Sequence, residues 1–211
     1  MTKGSFAAFL SHLHPPTIPA RAARIRFTWC LGGLAVWMFF IELVTGILLA
    51  IQFIPTASAA YRSVSEITTV IPFGFFVRNV HYWAGQLMVV FVTLHALRVV
   101  ITGAYVPPRH FNWLIGVALL VFTLFVDFTG YLLIRDARAD LALTIARKLA
   151  ESIPLVGLTV ASLLWGSADA GDLAVVRVYV WHAILLPILM ITLMGWHFWR
   201  IRKDGGISGP L

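Results

Sequence analysis

Hydrophobic positions fall into four long blocks, at about residues 27–53, 75–106, 111–134 and 175–201, separated by segments rich in proline or charge. Each block exceeds the roughly 20 residues that a helix needs to cross a ~30 Å hydrocarbon core. The first ends before Pro55. The second opens after Pro72 and closes before Pro107-Pro108. The third follows Arg109 and gives way to the cluster Arg135, Asp136, Arg138 and Asp140, while the fourth carries Pro187 in its interior. Between the last two lies a long connection, 135–172, in which ADLALTIARKLAESI places apolar residues at helical spacing. An amphipathic helix lying on the membrane face is expected there, broken by Pro154 and Gly157, with ASLLWGSADAGD supplying a second short helix. Residues 1–26 form a basic lead whose Phe6, Phe9 and Leu10 suit an interfacial position. Its apolar run FAAFL is too short for the core of a secretory signal. The fold expected is an all-α membrane protein: one four-transmembrane-helix bundle over 27–211 behind that interfacial segment.

Composition agrees, since 60% of the 211 residues are hydrophobic and 12% charged, against about 25% charged in a soluble domain. The net charge of +7 is not a nucleic-acid footprint, because the charges follow the loops. Four spans put both termini on one face, which collects Lys3, Arg21, Arg24, Arg26, Arg98, Arg109, Arg200, Arg202 and Lys203 against Asp204 alone. On the other face basic and acidic residues nearly balance. Short-loop cations set orientation, so both termini are expected in the cytoplasm. A single cysteine, Cys30, excludes an internal disulfide and any Cys-x-x-Cys pair.

Four histidines lie inside these blocks. His81 and His95 are fourteen residues apart in the second span, and His182 and His197 fifteen apart in the fourth. Fourteen residues is roughly 21 Å of helix and close to a whole number of turns, so both imidazoles of the first pair leave one face. The fifteen-residue interval rotates the second ring, a difference that a kink at Pro187 would absorb. The two spans run in the same direction, which sets His81 level with His182 and His95 level with His197. A lone intramembrane histidine is more often packed between helices or part of a proton path. Two pairs at matched depths instead describe two bis-imidazole haem sites, histidine being a usual axial ligand.

Glycines repeat the interval. Gly32 and Gly46 on the first span, and Gly116 and Gly130 on the third, are each fourteen apart. Small residues in membrane helices commonly just ease helix packing, but pairs that repeat the histidine spacing fit helices pressed against a flat macrocycle. Arg78, three residues before His81, and Arg98, three after His95, are placed to pair with haem propionates. Snorkelling to the headgroups explains either arginine equally well. Glu42 and Asp127 are carboxylates inside the first and third spans. Both are candidates for proton handling, and Asp127, one turn from Gly130 and near the level of His81, is a candidate proton acceptor for a quinol; a structural pairing of Asp127 with Arg135 or a neighbouring subunit is the other reading of it.

These residues resemble the cytochrome b family, and more closely its shorter b6-type form. The likeness rests on Cys30-Leu-Gly-Gly33, Thr45-Gly46, Arg78-Asn-Val-His81, His95-Ala-Leu-Arg98, Thr129-Gly130-Tyr131, Ile153-Pro-Leu-Val-Gly157 and the ending Arg202-Lys203-Asp-Gly-Gly-Ile-Ser-Gly-Pro-Leu211. It extends over nearly all the chain after residue 20. The resemblance implies two haems b and a quinol-oxidising bc-type complex. It further implies a second membrane subunit equivalent to the C-terminal half of the longer form, a Rieske iron–sulfur protein or a multihaem c-type cytochrome, and a dimeric assembly in a bacterial inner or thylakoid-type membrane. In b6-type chains the cysteine of a Cys-Leu-Gly-Gly segment carries an extra c-type haem by one thioether bond, beside the quinone-reduction site on the cytoplasmic side. Cys30, at the level of His95 and His197, therefore becomes the expected attachment point, with Arg202 and Lys203 nearby. Without that motif, a cysteine in an apolar helix is usually inert packing. One segment departs from the family. After Gly130-Tyr131 the Ser-Leu-Pro-Trp sequence and polar loop that shape the quinol-oxidation pocket are replaced by Leu-Leu-Ile-Arg135-Asp-Ala-Arg138. A b-haem wire between the quinone pool and another redox partner, without bifurcation, is the alternative that this departure raises.

Overall fold

The computed structural model describes residues 28–166 and 171–204. The interfacial lead expected over 1–26 and the end of the chain after Asp204 lie outside the described residues. Among the described residues seven helices follow in order: α1 Leu31–Ala50, α2 Ala60–Thr69, α3 Gly74–Ile101, α4 His110–Leu132, α5 Ala137–Glu151, α6 Gly157–Trp165 and α7 Asp172–Lys203. Of these, α1, α3, α4 and α7 are long and apolar enough to cross a membrane. They alternate in direction, so one face of the bundle carries the start of α1 and the end of α7, here the terminal face. The opposite, loop face carries α2, α5 and α6.

The long helices pack α1 on α3, α3 on α4 and α4 on α7. Trp37, Ile47, Leu114 and Ile188 are exposed on the outside of the bundle, as suits surfaces whose solvent is hydrocarbon. Inside, Phe39, Met88 and Met190 form a buried cluster at mid-depth, surrounded by Met38, Leu43, Val92, Phe122, Val126 and Met194. Methionine is unbranched and polarizable and fills irregular gaps, which suits a plug between two functional levels.

The long connection folds as expected in kind. Asp136 caps α5, its Oδ1 accepting the Ala139 N–H at 2.7 Å, a contact of the kind whose loss costs about 1 kcal/mol. Arg135 Nη1 sits 2.8 Å from Asp140 Oδ1, and Arg147 pairs with Glu151 at the same distance. The second short helix begins at Gly157 and ends at Trp165, earlier than the 161–172 segment suggested. Ala150, Ala161 and Trp165 then pack on Leu132 and Val178, so the α5–α6 hairpin closes the loop face over α4 and α7.

Two features were not expected. Helix α2 is short and polar, AYRSVSEITT, and carries no spanning signal. Its loop is anchored by Ile54 N–H donating to Ser63 Oγ at 3.2 Å and Ala57 N–H donating to Asp172 Oδ1 at 2.6 Å. The other is a π-helical turn in α7 over Trp181–Leu185, immediately before Pro187. A π turn accommodates one extra residue in a helix and occurs often at functional sites. It contains His182 and precedes the stretch of α7 that leads to His197, and so absorbs the extra residue in the fifteen-residue interval.

Candidate functional site

At the loop face, His81 of α3 and His182 of the α7 π turn meet with ring centroids 6.2 Å apart and planes at 78°. One metal ion between two imidazoles, bonded at about 2 Å to each nitrogen, sets their centroids about 6 Å apart, so the pair already has the spacing of two axial ligands. The Nδ1 atoms are engaged elsewhere. His81 Nδ1 lies 2.9 Å from Thr45 Oγ1 and 3.0 Å from Glu42 Oε2. His182 Nδ1 lies 3.0 Å from the Val126 carbonyl and 3.3 Å from Thr129 Oγ1. Both hydroxyls donate to the backbone, Thr45 to Ile41 O and Thr129 to Val126 O. With Nδ1 committed as donor, Nε2 is left with its lone pair, the state a metal needs.

At the terminal face a cavity of about 530 Å³ opens among α1, α3, α4 and α7. That is within the ~300–1,000 Å³ of ligand pockets. His95 and His197 line it, together with Gly32, Gly116, Arg98, Arg109, Asn112 and Cys30; Phe39, Met88 and Met190 reach it from the mid-depth cluster. Cys30 is a free, exposed thiol that precedes α1 with φ 52°.

The glycines sharpen the picture. Each of the four is set against one imidazole, so what needs the room in the structure is a histidine ring. A Cβ built on Gly46 would lie 3.3 Å from His81 Cε1, and one on Gly130 2.6 Å from His182 Cε1. On Gly32 it would come within 3.2 Å of His95 Cε1, and on Gly116 within 3.4 Å of His197 Cε1. Four cradles that a methyl group would fill, each holding one of four paired histidines, fit two haems.

The remaining candidates separate. Arg98 lines the terminal-face cavity, and Arg109, considered in the sequence only as a flanking cation, joins it. Arg78 is half-buried one turn before His81. Lys203 does not line the cavity: its Nζ stacks on Trp199, 4.9 Å from the ring centroid. Arg202 is half-buried at the same helix end. Asp127 does not pair with Arg135, which is held by Asp140; its Oδ1 instead accepts from Gln86 Nε2 at 3.1 Å. Gly85 separates the two intramembrane carboxyls, a Cβ there falling 3.5 Å from Asp127 Oδ1 and 3.7 Å from Glu42 Oε1. The functional contacts that sequence reasoning missed are Thr45 and Thr129. Their signal was available, since both loop-face glycines are preceded by threonine and neither terminal-face glycine is.

Comparison with known proteins identifies the family. The profile of the cytochrome b/b6/petB family matches residues 19–205. Cytochrome b6 of Heliobacterium mobile is 39% identical over 193 residues, which cover 92% of this chain and 90% of that protein. Cytochrome b6 of Heliomicrobium gestii is 40% identical over 198 residues, covering 94% and 91%. Among solved structures, a chain of a hyperthermophilic respiratory Complex III superposes with a TM-score of 0.77 at 26% identity, over 87% of this chain. The match spans 49% of that longer chain. On this sequence likeness and this architecture, the chain belongs to the cytochrome b/b6 family.

Proposed function

We propose that this chain is the haem-bearing membrane subunit of a quinol-oxidising bc-type complex, with His81 and His182 as axial ligands at the loop face and His95 and His197 at the terminal face. Membership of the family implies haem b. The observation that carries the ligand assignment is the set of four glycine cradles, each opposite one histidine. When bound, the two haems supply a one-electron relay from quinol at the loop face towards a quinone at the terminal face, and a third haem on Cys30 extends it there.

The protein's part is placement and electrostatics. Thr45, Glu42, Thr129 and the Val126 carbonyl fix the tautomers of the loop-face ligands. Arg98 and Arg109 supply positive charge in the terminal-face cavity, where propionates and a quinone headgroup need it, and Arg78 does so at the loop face. Arg202 and Lys203 add basic charge at the terminal edge. We assign Asp127, held by Gln86 one turn from Gly130, to proton uptake from quinol. The excess of cations at the terminal face supports a cytoplasmic location for both termini in a bacterial inner or thylakoid-type membrane. A second membrane subunit equivalent to the C-terminal half of the longer family form would share the complex. A Rieske protein or a multihaem c-type cytochrome would take the other electron, in a dimeric complex.

The second reading, a wire without bifurcation, is favoured by one observation: residues 135–140 are committed to the capped start of α5 and the Arg135–Asp140 ion pair. Flash or stopped-flow oxidation of the purified complex, with the quinone-reducing site inhibited, separates the two. Bifurcation predicts a transient reduction of the b haems on addition of oxidant, and a wire predicts none.

The cradles give a graded expectation for haem content. Overpacking a filled site costs about 1–3 kcal/mol. Gly130→Ala, with the shortest approach of 2.6 Å, should lower the haem-to-protein ratio most. Gly116→Ala, at 3.4 Å, should lower it least of the four. Gly195→Ala, with nothing within 4 Å, should bind haem like the wild type. The ratio is read by pyridine haemochrome on the purified variants, and equal loss in all five would remove the cradle argument.

A further inference from the structure

Glu42 is an intramembrane acidic residue that has no Lys or Arg partner among the described residues. An ionisable group inside a membrane helix is expensive and is normally functional, so its place beside His81 calls for a role. Its Oε2 is 3.0 Å from His81 Nδ1, and its side chain is 15% exposed. The two loop-face ligands are otherwise alike. Each Nδ1 has a threonine hydroxyl within 3.3 Å whose proton is given to the backbone. They differ in the remaining acceptor: His182 has the neutral Val126 carbonyl, whereas His81 has a carboxylate.

From this asymmetry we propose that Glu42 is a positioning residue that sets the reduction potential of the loop-face haem through the His81 Nδ1–H···Oε2 hydrogen bond. A carboxylate acceptor raises the basicity of a ligating imidazole more than a neutral one does. A more basic ligand favours the ferric over the ferrous state, and hydrogen bonding around the ligands is one of the protein's levers on haem potential. A haem held by His81 would thereby sit at a lower potential than it would with a neutral acceptor in place of Glu42. Gly85 leaves room for the carboxyl to reach the ring, and Gln86 keeps Asp127 occupied beside it. The inference rests on His81 being a haem ligand, the assignment made above.

The test is an optical redox titration of the purified complex carrying wild-type chain, Glu42→Gln, Asp127→Asn, Thr45→Val or His81→Leu. Glu42→Gln keeps the size and an acceptor oxygen but removes the charge. It should raise the loop-face potential so that the reduced-to-oxidised ratio at fixed ambient potential rises about tenfold, about 59 mV for one electron, with the terminal-face haem unmoved. No shift, or an equal shift of both haems, overturns the proposal. So does an Asp127→Asn shift as large as that of Glu42→Gln, which would mark a diffuse field rather than this bond. Should Glu42→Gln lose the haem, Thr45→Val decides: it leaves the carboxylate as the only side-chain acceptor, so the potential stays or falls, and a rise overturns the proposal. His81→Leu separates the two levels of inference. Retention of both haems there refutes the ligand assignment, whereas loss of one haem with no Glu42→Gln shift refutes only the role of Glu42.

Discussion

Replacing His182 with leucine should halve the b-haem content and leave one electrochemical component where the wild type has two. The histidine sits in the π turn of α7 with its ring against Gly130, and Val126 O and Thr129 Oγ1 hold its Nδ1. Its ring stands edge-on to that of His81, with centroids 6.2 Å apart. Leucine fills a comparable volume and suits the bilayer interior, so the helix should insert while the imidazole nitrogen proposed to hold the haem is lost. The surviving haem should be the His95/His197 one, because the Met-rich cluster of Phe39, Met88 and Met190 separates the two levels. His197→Leu should give the mirror result, with the loop-face haem retained. Pyridine haemochrome per mole of protein, followed by redox titration, reads both. A His182→Leu protein that keeps two b haems would dissolve the ladder, and a His182→Leu protein with none would show that the levels do not load independently.

Much of that ladder could be read from the chain, because it depends on helical period alone. Spans without breakers, two histidines fourteen residues apart on one face, and glycines repeating the interval all follow from residue spacing and the 3.6-residue turn. What escaped reading depends on hydrogen bonds that no spacing announces. The π turn at Trp181–Leu185 is a change of backbone pairing, and Pro187 marked only its neighbourhood. Helix α2 is too short and polar to show a spanning signal, and tertiary anchors at Ser63 and Asp172 hold its loop. Asp127 stands near Arg135 in sequence, yet its partner is Gln86, forty-one residues away on α3. The glycines were recognised as places of close approach, but only the three-dimensional arrangement shows that what approaches each one is an imidazole edge. Lys203, expected near Cys30 from the family resemblance, turns back on Trp199 a helical turn earlier.

Cys30→Ser should abolish covalent haem staining of this polypeptide while leaving both extractable b haems in place. A thioether forms when a thiol adds across a vinyl group: sulfur bonds one vinyl carbon, the thiol hydrogen goes to the other, and no oxidant is consumed. Serine lacks the nucleophilic sulfur and cannot replace it. The geometry permits the bond because Cys30 precedes α1 with left-handed backbone, is exposed, and lines the cavity that His95 and His197 share. Arg98 and Arg109 line the same cavity and favour an anionic group there. An inert packing cysteine would be buried against a neighbouring helix, where serine substitution leaves an unmatched hydroxyl and a stability loss but no change in cofactor chemistry. A haem-stained denaturing gel of wild type and Cys30→Ser therefore distinguishes attachment from packing. Stain on the wild-type band that vanishes in the variant, at unchanged pyridine haemochrome for haem b, supports the third haem. A wild-type band without stain would confine the chain to two haems and end the relay at His95 and His197, leaving the cavity beside Cys30 to the quinone alone.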